Sequence, residues 1–296
     1  MHCEITPYKR WEGHHGPLYA MCMTDEGFFS GGADKQLLYH SHQHHLAIEK
    51  IAQFSESIFS IQVIGEHIWV GSFSGYCYQI HRSSQDVHKW QAHQGPVFAL
   101  IPLSNGWMAS GGGDGKLHIW DVDNQKIIRS IWLGDFKIRS LQYSKEENLV
   151  SVTGGDGSLN ILDLPWFNTQ HQWQLRDEAC YSSVYLSSKD VWITGHKNGS
   201  IQFWKKNEPT ALVKIPAHLG AVYDLKLDPK NNLLFSCSQD KSLKIWDLTN
   251  LTMMAKWDAW ENLPYRSINK MDIFGDKLHL LGDNGKIDVL KICIFD

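Results

Sequence analysis

The chain has 296 residues, 43% of them hydrophobic and 12% aromatic, with a formal net charge of −4, which excludes a disordered or low-complexity protein and supplies enough apolar side chain for a large core. Lys, Arg, Asp and Glu are interspersed without a basic block, so neither nucleic acid nor an anionic membrane surface is an expected partner. The N-terminus MHCEITPYKRWEGHHG has no apolar leader, no long apolar run follows, and Cys3, Cys22, Cys77, Cys180, Cys237 and Cys293 stand singly without a C-x-x-C pair, so the expectation is a soluble, cytoplasmic protein with reduced thiols.

Along the chain one segment recurs: a turn around Asp or Asn followed by a hydrophobic strand. Its seven copies are SGGADKQLLYH ending at His40, VGSFSGYCYQI at Ile80, SGGGDGKLHIW at Trp120, VTGGDGSLNIL at Leu162, TGHKNGSIQFW at Trp204, SCSQDKSLKIW at Trp246 and LGDNGKIDVL at Leu290. Successive ends lie 40, 40, 42, 42, 42 and 44 residues apart. Within the third copy VFALIPL, GWMASGG, KLHIWDV and KIIRSIWL read as four strands separated by SNG and GDG turns. Asp114-Gly115, Asp156-Gly157, Asn198-Gly199 and Asn284-Gly285 provide the positive φ that tight hairpins require. Sustained helical periodicity is missing, so the fold class is all-β, and four-stranded units of this length predict propeller blades.

Trp120-Asp121 and Trp246-Asp247 carry the Trp-Asp signature, and Gly13-His14, Ala92-His93 and Ala217-His218 sit where a Gly-His dipeptide precedes it. Over essentially its whole length the chain resembles the Trp-Asp (WD) repeat family. That resemblance implies a single seven-bladed β-propeller domain spanning residues 1–296, with four antiparallel strands per blade. After Leu290 only six residues remain, whereas YKRWEGHHGPLYAM near the start matches VHKWQAHQGPVFAL, a fourth strand running into a first. Residues from about Glu4 to Trp11 are therefore expected to complete blade seven, leaving no open sheet edge.

His93, Ser110 and Asp114, and likewise His218, Ser236 and Asp240, mimic hydrolytic triads. The resemblance assigns them instead, with Trp120 and Trp246, to buried hydrogen-bond chains running Trp to Ser to His to Asp, a structural tetrad in each blade. Unit one keeps His14, Ser30 and Asp34 but has His40 in place of Trp, and units two, four, five and seven lack the His. HSHQHH, with His40, His42, His44 and His45, could hold a divalent ion, but reads more simply as a polar rim loop; no metal or cofactor is expected. SGGGDGK lacks the spacing of a phosphate loop and leads into a strand.

The position five residues after the His aligns as Tyr19, Phe59, Phe98, Arg139, Tyr181, Tyr223 and Asn269. Five of these seven are aromatic, and by strand alternation they should face the channel mouth, where they could bind a partner or plug the opening. Lys197, Gln239 and Asp283, just before the turn Asp or Asn, are carried over from the resemblance as lip contacts. Trp166-Phe167 could form a side patch, and Trp11, Trp90, Trp132, Trp173 and Trp257, at the ends of fourth strands, should be structural. The expected function is a non-catalytic scaffold, monomeric as an isolated domain, that binds a protein or peptide around the channel; the alternative is a small-ligand-binding or enzymatic propeller using the same mouth.

Overall fold

A computed structural model describes residues 2–42, 48–174, 178–206, 208–259 and 267–295. Its second strands, such as Gly27–Gly32 and Leu233–Ser238, are buried from end to end, and its third strands nearly so. Fourth strands such as Lys126–Trp132 are mostly exposed. This gradient is what sheets stacked face to face around an axis produce: central strands covered on both faces, outer strands facing water on one.

The strands form seven four-stranded antiparallel sheets. Blade one runs from Leu18–Met23 to Ile48–Gln53, blade three from Val97–Pro102 to Lys126–Trp132, and blade six from Val222–Asp228 to Thr252–Asp258. First strands touch first strands in sequence around the molecule, and that of blade seven (Ile268–Phe274) meets that of blade one, so the ring closes. Blade seven takes its outer strand from the start of the chain: His2–Glu12 pairs antiparallel with Lys286–Phe295, from His2 opposite Phe295 to Glu12 opposite Lys286. The molecule is thus a seven-bladed β-propeller closed by its N-terminal strand, as the repeat count and the orphan opening strand lead one to expect.

One apolar cluster fills each of the seven seams between adjacent blades. The blades approach closely because small residues recur in the second strands. A Cβ built on Gly111 would stand 2.6 Å from Ile138 of the next blade, and one on Gly195 2.7 Å from Val222, so only hydrogen fits there.

Candidate functional site

Each first strand carries an irregularity in its pairing with the second at one equivalent residue: between Leu18 and Ala20, Ile58 and Ser60, Val97 and Ala99, Ile138 and Ser140, Cys180 and Ser182, Val222 and Asp224, and Ile268 and Lys270. The skipped residue is Tyr19, Phe59, Phe98, Arg139, Tyr181, Tyr223 or Asn269. A β-bulge leaves its extra residue unpaired and re-aims the side chain. These seven positions are therefore equivalent by backbone geometry as well as by sequence, and all seven side chains are partly exposed.

Six of them form a continuous chain of ring contacts. Tyr19 stacks on Phe59 with centroids 4.8 Å apart, and Phe59 meets Phe98 edge-on at 5.5 Å. The Arg139 guanidinium lies 4.8 Å from the Phe98 centroid and 5.2 Å from that of Tyr181, which in turn meets Tyr223 edge-on at 5.6 Å. Asn269 departs from the pattern, because its amide donates to the Leu18 carbonyl at 2.9 Å and accepts from the Ser267 hydroxyl at 2.6 Å. The first four residues open onto a channel cavity of about 440 Å³. Burial raises the Tyr19 and Tyr223 phenol pKa values, assisted at Tyr19 by Asp283 and at Tyr223 by Tyr181.

Farther along the channel the lining is charged, which alignment of a single position had missed. Lys226 pairs with Asp272 at 3.1 Å and Lys270 with Asp224 at 3.4 Å. Burial acts against the Lys226 charge, but Asp272 and Asp224 outweigh it and its pKa rises.

At the lip Lys197 and Gln239 are exposed and Asp283 is partly buried, its Oδ1 accepting from the Ser267 backbone at 3.2 Å. The equivalent residue of blade two is Phe73, an exposed aromatic (55%) with its ring 6.0 Å from Phe59. Sequence reasoning passed over it because blade two has Ser74 where the turn Asp would be; the strand register alone would have found it. Leu219, directly after His218 in the loop entering blade six, is 99% exposed.

The residues that mimic triads lie behind this surface. In blade three the Trp120 indole donates to Ser110 Oγ at 2.9 Å, Ser110 meets His93 Nε2 at 2.8 Å, and His93 Nδ1 meets Asp114 at 3.0 Å. Blade six repeats this with Trp246, Ser236, His218 and Asp240 at 2.9, 2.8 and 3.0 Å. Each serine is fully buried. The turn aspartates also accept backbone N–H groups from the loop entering the blade. Although burial opposes it, hydrogen bonds from the histidines and these N–H groups hold both carboxyls well below the usual carboxylate range. In blade one His40 Nε2 replaces the indole at 2.7 Å from Ser30, and His14 completes the chain at 2.8 Å to Ser30 and 2.8 Å to Asp34. Blade five has a version that was not foreseen: Trp204 donates to Thr194 at 2.8 Å, and Thr194 meets His196 at 2.7 Å, the histidine coming from the end of the second strand.

His93, Asp114 and His118 bring potential metal ligands within 4.8 Å of one another. Every ring nitrogen in that group already has a hydrogen-bond partner, His118 through Ser130 and the Ala92 carbonyl, so the group reads as architecture. Of the HSHQHH run, His40 is no rim residue: it is buried in the third strand, stacked on Phe28 with centroids 4.4 Å apart. His42 stacks on Phe274 of blade seven at 4.4 Å. His44 and His45 lie outside the described residues.

Two expectations for outer aromatics need correction. Trp166 is exposed, but Phe167 is 5% exposed because its positive φ of 55° turns the ring inward beside Trp107, so the two form no joint patch. Trp132 is 62% exposed, whereas Trp11 and Trp173 are buried.

Similarity to known proteins agrees with this geometry. The family description "WD domain, G-beta repeat" matches residues 84–121 and 210–247, the stretches ending in the two Trp-Asp dipeptides. A crystal structure of the WD40 β-propeller domain of Doa1 superposes with a TM-score of 0.85 at 15% identity, covering 97% of both chains. The WD repeat-containing protein AAC3 of Dictyostelium discoideum is 24% identical over 186 residues, 60% of this chain and 38% of that one. Striatin of Mus musculus is 22% identical over 261 residues, 66% and 34% respectively. The target of rapamycin complex subunit LST8 of Bos taurus is 26% identical over 173 residues, 54% and 52%. The chain thus spans between a third and just over half the length of these relatives. Fold and repeats define the class, a seven-bladed propeller built from WD repeats. The two matched repeats and the WD-repeat relatives support a place in the WD-repeat β-propeller family.

Proposed function

We propose that the chain is a non-catalytic interaction scaffold that binds a segment of a partner protein on the face around the channel mouth. The observation that carries this reading is the continuous arc of six side chains from Tyr19 to Tyr223, together with the exposed Phe73 and Leu219. Large rings with few rotors and polar tips, next to uncovered apolar side chains, make the surface on which binding energy concentrates. Support also comes from relatives whose names mark them as complex subunits, the LST8 protein among them.

The enzymatic alternative is the weaker reading. The channel carboxylates Asp224 and Asp272 are paired with lysines, and the triad-like serines are sealed under their own hydrogen bonds, so no free base stands beside an accessible nucleophile among the described groups. A cytoplasmic monomer is part of this reading, and the six free cysteines accord with a reducing compartment.

The test compares partner capture by the intact protein with capture by Phe73→Ala/Leu219→Ala and by Tyr19→Ala/Tyr223→Ala, with thermal midpoints measured alongside. The first pair should reduce capture by about tenfold at an unchanged midpoint, because exposed side chains contribute little to folding. Undiminished capture by both double variants would remove this face from consideration.

A further inference from the structure

Resting on that reading, we infer that the mouth recognises an acidic side chain of the partner segment, with its carboxylate seated on Arg139. The guanidinium is clamped between Phe98 and Tyr181. Its Nε is buried with no hydrogen-bond partner, and the ion pairs of the described residues do not include it. An arginine partly stripped of water, with no anion beside it, is an unfavourable arrangement that a carboxylate relieves. The clamp also fixes the plane of the fork, so a bidentate partner loses little additional freedom on binding.

The surroundings supply donors in excess. Among the described residues the hydroxyls of Tyr181 and Tyr223 make no hydrogen bond to the protein, and both residues stand on the Arg139 side of the mouth, which offers phenol donors near the guanidinium. Lys137 and Lys197 are exposed on blades four and five. Asp156, in the turn after Gly155, is engaged through Oδ1 by the Ser158 N–H at 3.0 Å and forms no ion pair with Arg139.

Shape adds to charge. In blades two and five the lip residue is large, Phe73 or Lys197, but in blades three and four it is Gly113 or Gly155. A Cβ on Gly155 would lie 3.5 Å from Arg139 Nε, so a larger residue at this lip position would crowd the arginine. A gap framed by Phe73 on one side and Lys197 on the other, floored by Phe98 and Arg139, suits an extended segment that places one apolar residue against Phe73 and one carboxylate on the guanidinium. A single fork favours a carboxylate over a phosphate, which clusters of arginines bind better.

The experiment selects phage-displayed random 12-residue peptides on the folded protein and measures the winners by fluorescence anisotropy. Asp or Glu should be enriched at one position. Changing it to the amide should weaken binding roughly ten- to a hundredfold, the loss typical of a charge-assisted bidentate bond. Arg139→Gln should weaken the acidic peptide equally and the amide peptide hardly at all, and Arg139→Lys should recover only part of the loss. Because the amide peptide is measured on the unaltered protein, the result holds even where an Arg139 variant folds poorly. Winners that depend on Phe73 and Leu219 but carry no required acid would overturn the carboxylate inference and leave the interaction face standing. A phosphoserine at the selected position binding tenfold better than Glu would overturn it in favour of a phosphopeptide. Failure to select any peptide that binds this face would overturn both.

Discussion

Blades one and three build the same buried chain of hydrogen bonds from different end groups, His40 in one and Trp120 in the other, and the difference shows where this ring is robust and where it is conditional. An indole N–H only donates, so Trp120 satisfies Ser110 and has nothing left over. If His14 gives its Nδ1 proton to Asp34 and accepts from Ser30 at Nε2, then His40 must donate to Ser30 from Nε2. Its Nδ1 is then an acceptor buried without a partner. His40 sits at the seam where the chain's two ends meet, edge-on to Trp11 of the closing strand at 5.2 Å. Burial, reinforced by His14, His279 and Lys9, lowers its pKa to about 3, and burial with His42 does the same to His279.

The largest effect should come from removing the closing strand. Deleting residues 2–12 exposes the edge of Lys286–Phe295, removes the buried Trp11 and Cys3, and leaves Asp288 without Arg10. An open edge of ten residues invites association, so the truncated chain should elute as aggregate on size exclusion. A monomer with a native circular dichroism spectrum would show that the seam contributes little.

Smaller and more local, Ser110→Ala strands two buried groups at once, the Trp120 N–H and His93 Nε2, and should cost about 2–4 kcal/mol in urea unfolding. Ser30→Ala should cost less, because blade one already contains an orphaned nitrogen in the intact protein. Equal losses would mean the two chains are energetically the same despite their different ends.

The comparison also shows what a sequence can disclose. Seven sheets, the closing strand and the tetrads of blades three and six are legible because each follows from a repeated spacing with one strand register. Phe73 is hidden by a serine in the turn, and His196 because blade five draws its histidine from the second strand instead of the entering loop. The charge pairs join residues one and three places after the position that repeats, Asp224 with Lys270 and Lys226 with Asp272, and only blades six and seven carry charge there. Trp132 and Trp173 look alike in sequence but sit one register step apart, Trp132 opposite Lys116 and Trp173 opposite Leu159, so they face opposite ways, and Trp173 also meets a loop from the next blade, its indole donating to the Glu208 carbonyl at 2.7 Å. That contact depends on the length and path of a neighbouring loop, which periodicity does not encode.

Acid should separate the two ends of the comparison by about one proton. A histidine whose folded pKa lies below its ordinary 6.5 contributes stability that is complete above that value and erodes as the pH falls through it, since the unfolded chain takes the proton first. Burial also depresses His118 and His196 to about 4, so unfolding free energy should decline from pH 6.5 toward 5, before the low-pKa Asp114 and Asp240 begin to matter. Each such proton adds about 1.4 kcal/mol per pH unit to the slope. His40→Gln, which can still donate to Ser30, should flatten the slope between pH 6 and 5 by close to that amount; an unaltered slope would mean that His40 is not held neutral by the fold.

The smallest effect belongs to blade three's own outer strand. Trp132 is 62% exposed and makes no hydrogen bond through its indole among the described residues, so Trp132→Ala should change stability by less than about 0.5 kcal/mol. Trp11, in the closing strand beside blade one, is 3% exposed and packs edge-on against Phe28 with centroids 5.9 Å apart, so Trp11→Ala there should cost several kcal/mol, about 3–5. Trp11 lies opposite Ile287 and Trp132 opposite Lys116, one register step apart, so the two rings leave opposite faces of their fourth strands, and the ratio of their losses in one urea titration series measures how far the seam next to blade one depends on the inward face of the closing strand. Comparable losses would mean that the exposed ring of Trp132 is held by contacts outside blade three.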